Sequence, residues 1–511
     1  MGGKLQEMTE QWMRMGRQTR EQWAAAEEFY ERELLHLVAE DYVRRNKEKV
    51  FEDVEYLVMS VGTSIEPLVL NISLFQPKKV LFLCTTRTEV LLDKIVEHCA
   101  LSPSTYQKEI VDSTKPTDIY REIKNGYLEW GKPEKIYIDF TGGTKAMSAA
   151  AALAGAMIRV ELVYVGTTNY LTGMRKPEPG TETLYFIDNP VTVFGDLEIE
   201  KAMAFFDEGN YTGAKEKLCV LRKEVPEPEI RQQLEFAESL ANAYEAWDSL
   251  DFVAAEAKMS ELNASLRRDA RTHENFLLMD FRAHLSEQGR ILGHLRTIPE
   301  KTHEGRQMEI LKDGSLMAEL IFTMWQNASI RERQAKYDMA SLLLYRVLEM
   351  IMQKRLADYN LYASQVRYED LDMSKVKDVT VHTREDLCRK MNETRRGVFR
   401  TTRDRDLPDP VSLLDGYMLL FALGDEISQS GSEHRPYDFL RRLRSMVYLR
   451  NNSIFAHGLG PVGQEDYEKF RAFVLEVLTK HCLLEEIQIV DYQNRIRWIA
   501  PRESRYFANL V

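Results

Sequence analysis

Residues 135–156 read KIYIDFTGGTKAMSAAAALAGA. An apolar run rises to Asp139, breaks on Thr141-Gly142-Gly143-Thr144 and continues as an alanine-rich helical stretch. A short apolar run ended by glycine and followed at once by a helix is the pattern of a strand buried on both faces of a parallel sheet. The pattern recurs on either side. Apolar runs lie at 54–62 (VEYLVMSVG), 79–85 (KVLFLCT), 107–112 (QKEIVD), 135–140 (KIYIDF), 160–165 (VELVYV) and 183–188 (TLYFID), with helical patterns between the first five. Such alternation predicts a Rossmann-like parallel sheet wrapped by helices over residues 53–195, with NPVTVFGD (189–196) as its exit.

The chain of 511 residues is long enough for about three domains. Ahead of the sheet, residues 1–52 are charged, with Trp23, Tyr30, Leu34 and Leu37 at helical spacing, and predict one or two surface helices. Residues 196–329 read as a helical connector. Within it Tyr211 matches Phe252 and Ala214 matches Ala255, both at an offset of 41, as in tetratricopeptide-like hairpins or in helical hairpins of any kind. Residues 330–511 form a second helical block, opened by a long amphipathic helix and closed by EEIQIVDYQNRIRWI (485–499). The alternation in that tail, with Gln493-Asn494 at its centre, predicts a short β-hairpin. The fold class is therefore multidomain, α/β followed by all-α.

The balance of 68 basic and 80 acidic residues excludes a general polyanion binder, so nucleic-acid contact needs a local basic patch. Five scattered cysteines (Cys84, Cys99, Cys219, Cys388, Cys482) with no CxxC pair argue against a disulfide framework or a zinc site and fit a reducing cytoplasm. The first residues lack the apolar core of a signal peptide, and no apolar run is long enough to span a membrane.

In an open parallel sheet, ligands bind beyond the C-terminal strand ends where strand order reverses, between the first and fourth strands in the common order. Those strands end in SVGTSIEP (60–67) and DFTGGTKA (139–146), and the second ends in CTTRTE (84–89). Glycines at 62, 142 and 143 allow close backbone approach to an anion. Thr63, Ser64, Thr85, Thr141 and Thr144 offer hydroxyls, and Arg87 and Lys145 offer charge. A Walker A loop is absent, as is GxGxxG, because the glycines at 142 and 143 are adjacent.

VMSVGTSIEPL together with IDFTGGTKAMSAAAALAGA resembles the CARF sensor domain of CRISPR-associated proteins, with Asp-x-Thr-Gly-Gly-Thr-Lys as the most specific element. The resemblance implies a homodimeric sensor that binds cyclic oligoadenylate at Gly62, Thr63, Ser64, Thr85, Arg87, Thr141, Gly142, Gly143, Thr144 and Lys145.

A second string, LRNNSIFAHG (449–458), places Arg450 and His457 seven residues apart. On a continuous helix they would share a face about 10.5 Å apart, with Ile454 and Phe455 seating the helix and Gly458 ending it. A histidine can move a proton near neutral pH, and an arginine can hold phosphate oxygens while the 2′-hydroxyl of RNA attacks. The string resembles the R-x(4–6)-H motif of HEPN ribonucleases, which implies catalytic roles for Arg450, Asn451 and His457 and a composite site in a dimer. The order of sensor, connector and HEPN domain is similar to the CARF–HEPN accessory ribonucleases of type III CRISPR systems. It implies a cytoplasmic, allosteric, metal-independent endoribonuclease with no cofactor, activated by cyclic oligoadenylate, that leaves a 2′,3′-cyclic phosphate on single-stranded RNA. Arg441 and Arg444, ahead of the motif on its helix, are candidate RNA contacts; the basic stretch 384–406 is either an RNA groove or a solvated loop. Two other readings stay open. One is a non-catalytic sensor or dimerisation protein. The other is a sheet domain that degrades its own ligand through Ser60, Thr63, Thr144 and Lys145.

Overall fold

The computed structural model describes residues 2–50, 53–158, 160–187, 195–401, 403–430, 434–451, 454 and 458–510. The chain divides into two compact units, 1–195 and 196–511.

The first unit is built on a six-stranded sheet. Its strands are β1 (Tyr56–Ser60), β2 (Lys79–Cys84), β3 (Tyr106–Ile110), β4 (Ile136–Asp139), β5 (Glu161–Thr167) and β8 (Glu182–Ile187), in the order β3-β2-β1-β4-β5-β8. Every pairing is parallel except β5 with β8. The expectation of a parallel sheet therefore fails at its last strand. Between β5 and β8 the chain makes only a two-stranded ladder, β6 (Tyr170–Leu171) with β7 (Lys176–Pro177), and no crossover helix, so it returns antiparallel.

Period-two alternation divides the buried side chains between two cores. Leu57, Met59, Val80, Phe82 and Val163 face one core, which α1 (Gly2–Arg14), α2 (Arg20–Phe29), α3 (Leu35–Asn46), α4 (Glu66–Phe75) and α5 (Leu92–His98) cover. Val58, Leu81, Leu83, Ile138 and Leu162 face the other, under α6 (Pro116–Glu129) and α7 (Lys145–Ile158). Small residues let α7 close on the sheet. Ala150, Ala151, Ala154 and Gly155 are buried, and a Cβ on Gly155 would meet Leu162 Cδ2 at 2.4 Å. The helices of residues 2–46 are more than surface helices. Trp12, Tyr30, Leu34 and Tyr42 are fully buried in the first core, and a π-turn at Tyr30–Leu34 joins α2 to α3.

Residues 196–511 share one core that runs from Ile199 to Leu510. The helices Tyr211–Glu224 and Phe252–Asp269 open alike. Asn210 and Asp251 accept from the backbone N–H groups of Gly213 and Ala254, and Ala214 and Ala255 are both fully buried. The matched pairs therefore occupy equivalent places. The helix Gly314–Arg333 runs through position 330, where the sequence suggests a boundary. The long helix Tyr337–Asp358 packs on Gly314–Arg333, Leu413–Ala422 and Gln464–Leu484. Near its end Arg355 reaches Asp425 (2.7 Å) and Glu485 (2.6 Å), and Lys354 reaches Glu485 (2.9 Å), so the buried charges are paired.

The tail forms no hairpin. Residues Ile489–Ile496 are helical, because Ile489, Tyr492 and Ile496 fall on one helical face and Ile496 buries fully. A lone two-stranded hairpin is marginal in water, whereas this segment has a core to join. Beyond it Trp498 stacks on Tyr244 (centroids 5.1 Å apart, planes at 12°), and the Ile499 N–H donates to the Tyr244 hydroxyl (3.1 Å).

Candidate functional site

The tips of β1 and β4 interlock through their backbones. A Cβ on Gly142 would stand 2.1 Å from the Ser60 carbonyl oxygen, and one on Gly62 would stand 2.5 Å from the Gly143 nitrogen. Only glycine permits that approach, and Gly143 also takes a φ of +86°. The Ser60 hydroxyl donates to the Gly142 carbonyl (2.6 Å), and the Ser148 hydroxyl donates to the Phe140 carbonyl (2.9 Å).

Beneath this contact lies Asp139, 1 % exposed. It accepts from Asn71 Nδ2 (2.7 Å), the Thr141 N–H (2.8 Å) and the Thr141 hydroxyl (2.6 Å), and the Tyr42 hydroxyl donates to Asn71 (2.8 Å). Burial pushes the Asp139 carboxyl above its ordinary range, and the Thr141 and Asn71 hydrogen bonds oppose the shift.

These bonds sort the sequence candidates. Thr141 faces inward, because its hydroxyl also accepts from the Val165 N–H (2.8 Å). Thr85 is tied to Thr88, each hydroxyl accepting from the other residue's N–H (3.0 and 3.2 Å). Gly62, Gly142 and Gly143 serve the contact between the loops. Thr63, Ser64, Arg87, Thr144 and Lys145 are exposed. Thr144 caps α7 by accepting from the Met147 N–H (3.3 Å) and donates to the Ser113 carbonyl (3.3 Å), which joins the β3 tip to the β4 tip. Arg87 and Lys145 are exposed and have no acidic partner among the described residues, and Lys145 opens α7 beside its helix-opening amides. Ser60 is 2 % exposed and committed to Gly142, which argues against it as a nucleophile on a bound ligand.

In the second unit the helix Asp438–Asn451 carries Arg441, Arg444, Ser445, Tyr448 and Asn451 at intervals of three and four residues. All five line a groove of about 810 Å³, closed on the other side by Val398, Phe399, Arg400 and Leu414. Arg441 donates to the Gly397 carbonyl (2.8 Å) and lies 3.6 Å from Asp438. Arg444 donates to the Val398 carbonyl (3.3 Å), and its guanidinium sits 4.8 Å from the centroid of the Phe399 ring. Arg400 has no acidic partner among the described residues. The groove is therefore cationic within a chain of formal charge −12.

Both Arg441 and Arg444 stand where the sequence expects RNA contacts, beside Asn451. The side chain of Arg450, together with Phe455 and His457, lies outside the described residues. The helix itself ends at Asn451. Ile454 lies in a turn, donates its N–H to the Gly460 carbonyl (3.1 Å) and is 59 % exposed, so it does not seat the segment in the core. Most of the helix expected from Arg450 to His457 lies outside the described residues.

The basic stretch 384–406 is mostly consumed internally. Arg389 pairs with Asp386 (2.7 Å), Arg395 with Asp415 (3.4 Å) and Arg396 with Asp404 (2.5 Å), while Arg384 lies over Tyr368. Of the stretch 384–406, Arg400 lines the groove; sequence reasoning missed Phe399 and Tyr448. Extending the spacing of Arg441 and Arg444 by one further helical turn would have reached Tyr448.

Residues 315–481 match the Csm6 HEPN domain, and residues 194–292 match the Csm6 6H domain, together just over half of the chain. The chain belongs to the Csm6 family. A curated Csm6 relative from Thermus thermophilus, named a CRISPR system endoribonuclease, is 28 % identical over 323 residues. That match covers 61 % of this chain and 65 % of the relative, a little under two thirds of its length. Among solved structures, Csm6 of Enterococcus italicus, bound to cyclic hexa-2′-fluoro-hexa-dAMP, is 11 % identical with a TM-score of 0.46 and covers 90 % of this chain and 100 % of its own. Can2 of Sulfobacillus thermosulfidooxidans, in complex with cyclic tetra-adenylate, is 13 % identical with a TM-score of 0.21 and covers 47 % and 71 %. The cationic groove and Asn451 both fall inside the Csm6 HEPN match.

Proposed function

We propose that this Csm6-family chain is a ligand-gated endoribonuclease of type III CRISPR defence. Cyclic oligoadenylate binds the tips of β1, β2 and β4, and the helical unit then cuts single-stranded RNA without a metal. The observation that carries the reading is Asn451 in a groove with three arginines, at the start of the Arg450–His457 motif and within the HEPN match. Residues 53–195 sense, 196–329 connect and 330–511 cut. The N-terminal helices of residues 1–52 brace the sensing sheet.

The chemistry follows from the groups available. A 2′-hydroxyl of the substrate attacks the adjacent phosphorus, the P–O5′ bond breaks, and a 2′,3′-cyclic phosphate and a free 5′-hydroxyl result. His457 handles the proton near neutral pH, and Arg450 with Asn451 stabilises the charge that develops on the non-bridging oxygens. Two copies complete the site as a homodimer. At the sheet edge the Lys145 and Arg87 charges and the Thr63, Ser64 and Thr144 hydroxyls suit a ring of phosphates.

The test is to incubate the pure protein with labelled cyclic tetra- and hexa-adenylate and a fluorogenic RNA. RNA cleavage that depends on one of the rings is the expected result. RNA left intact with either ring bound would overturn the nuclease reading and leave a sensor. Loss of the intact ring would add a ligand-degrading activity.

A further inference from the structure

Tyr448 has no role in the reaction as proposed. It is 65 % exposed, although it stands in the same helix as the fully buried Leu440 and Leu443. Its hydroxyl makes no hydrogen bond among the described residues. Its place is nonetheless specific. Arg444 lies one turn before it and Asn451 one turn after it, all three on the wall of the groove. The guanidinium of Arg444 is held from behind by the Phe399 ring and the Val398 carbonyl.

We infer that the Tyr448 ring is a stacking platform for a base of the single-stranded RNA, positioning the nucleotide that lies between the Arg444 phosphate contact and the cleavage motif. The inference rests on the nuclease reading above. A cationic groove that tracks a phosphate backbone while an aromatic face takes the bases is how proteins hold single strands, and it tolerates any base because each has a π-face. The arginines supply one half of that arrangement: Arg400 and Arg444 lack acidic partners among the described residues, and Arg441 has one only at 3.6 Å. Tyr448 supplies the other half. Its ring is the most exposed aromatic side chain in the groove, ahead of Phe399 at 38 %, which is already occupied by Arg444. A duplex keeps its bases stacked inside and offers no face to such a ring, so the platform selects single strands.

The test uses the full chain carrying His457→Ala, saturated in separate arms with cyclic tetra- and hexa-adenylate, and a short fluorescein-labelled single-stranded RNA. Binding is read by anisotropy and assembly by mass photometry. Tyr448→Ala is expected to weaken RNA binding roughly 5- to 150-fold, and Tyr448→Phe by no more than about twofold, because the ring and not the hydroxyl is the platform. An abasic nucleotide at one position of the RNA should cost the chain with Tyr448 a similar factor and cost Tyr448→Ala nothing further. The inference is overturned if Tyr448→Ala binds unchanged, if Tyr448→Phe falls with it, if no abasic position matters, or if Tyr448→Ala loses RNA only by losing its assembly. Should the chain that keeps Tyr448 fail to bind RNA in either arm, the nuclease reading itself falls.

Discussion

The hydroxyl of Ser60, at the end of the first strand, donates to the carbonyl of Gly142, beyond the fourth, at 2.6 Å. Between them these residues close the sheet's switch point into a single rigid rim. Gly142→Ala would push a methyl group against the Ser60 carbonyl, now 2.1 Å from that position. The loops must part or strain, at roughly 1–3 kcal/mol. A lowered melting temperature together with weakened cyclic-oligoadenylate binding is expected, read by calorimetry; an unchanged transition would show that the rim yields freely.

Lys145 and Thr144 are exposed on the β4 side of the rim. Lys145→Ala should weaken cyclic-oligoadenylate binding by roughly tenfold or more, the usual worth of a hydrogen bond to a charged group. The melting transition should stay in place, since Lys145 has no acidic partner to lose among the described residues. Isothermal titration separates the two effects, and an unaltered affinity would move the ligand elsewhere.

His457→Ala should lower RNA cleavage roughly 10²- to 10⁴-fold while ligand affinity stays constant. Single-turnover rates on a fluorogenic RNA measure this directly. Full activity in a clean preparation would remove His457 from the mechanism. Treatment with EDTA should leave the rate of the unmodified protein unchanged, since the proposed nucleophile and proton carrier are both organic groups.

Glu182, at the start of β8, is 3 % exposed. Burial pushes its carboxyl up to about 7, although the Gly180 N–H donates to it (2.9 Å). The folded group therefore keeps its proton after the unfolded one, near 4.5, has lost it. Its contribution to stability is complete below pH 4.5 and falls as pH rises toward 7. The loss is on the order of 3 kcal/mol and then levels off. Glu182→Gln should flatten that slope for the first unit in thermal melts between pH 5 and 8. A slope equal to that of the parent chain would assign the titration to another group.

Much of this was legible in the sequence because the signals were local. The six strands of the large sheet declared themselves as short runs, though the β6–β7 ladder did not, and the glycines at 62, 142 and 143 marked the rim. Local signals also misled. The tail alternates well enough to suggest a hairpin, but its fate is decided by Tyr244 and Gln288, more than two hundred residues away. The last sheet pairing turned antiparallel for a similar reason, since no residue in β8 announces the missing crossover. The hydroxyls at the rim looked equivalent in sequence, and only the burial of Asp139 separates the inward Thr141 from the outward Thr144. Tyr448 was passed over because one exposed tyrosine has no signature until its neighbours across the groove are in place.

The clasp between Trp498 and Tyr244 has a consequence for how the protein is made. Tyr244 leaves the ribosome 255 residues before Ile499, whose N–H it accepts. Until then the aromatic cluster of Tyr211, Tyr244 and Trp247 lacks the ring that completes it. The sheet unit has every strand in hand by residue 187 and can fold on the nascent chain. The helical unit must wait, so a truncated translation product would carry a finished sheet unit and an incomplete helical core.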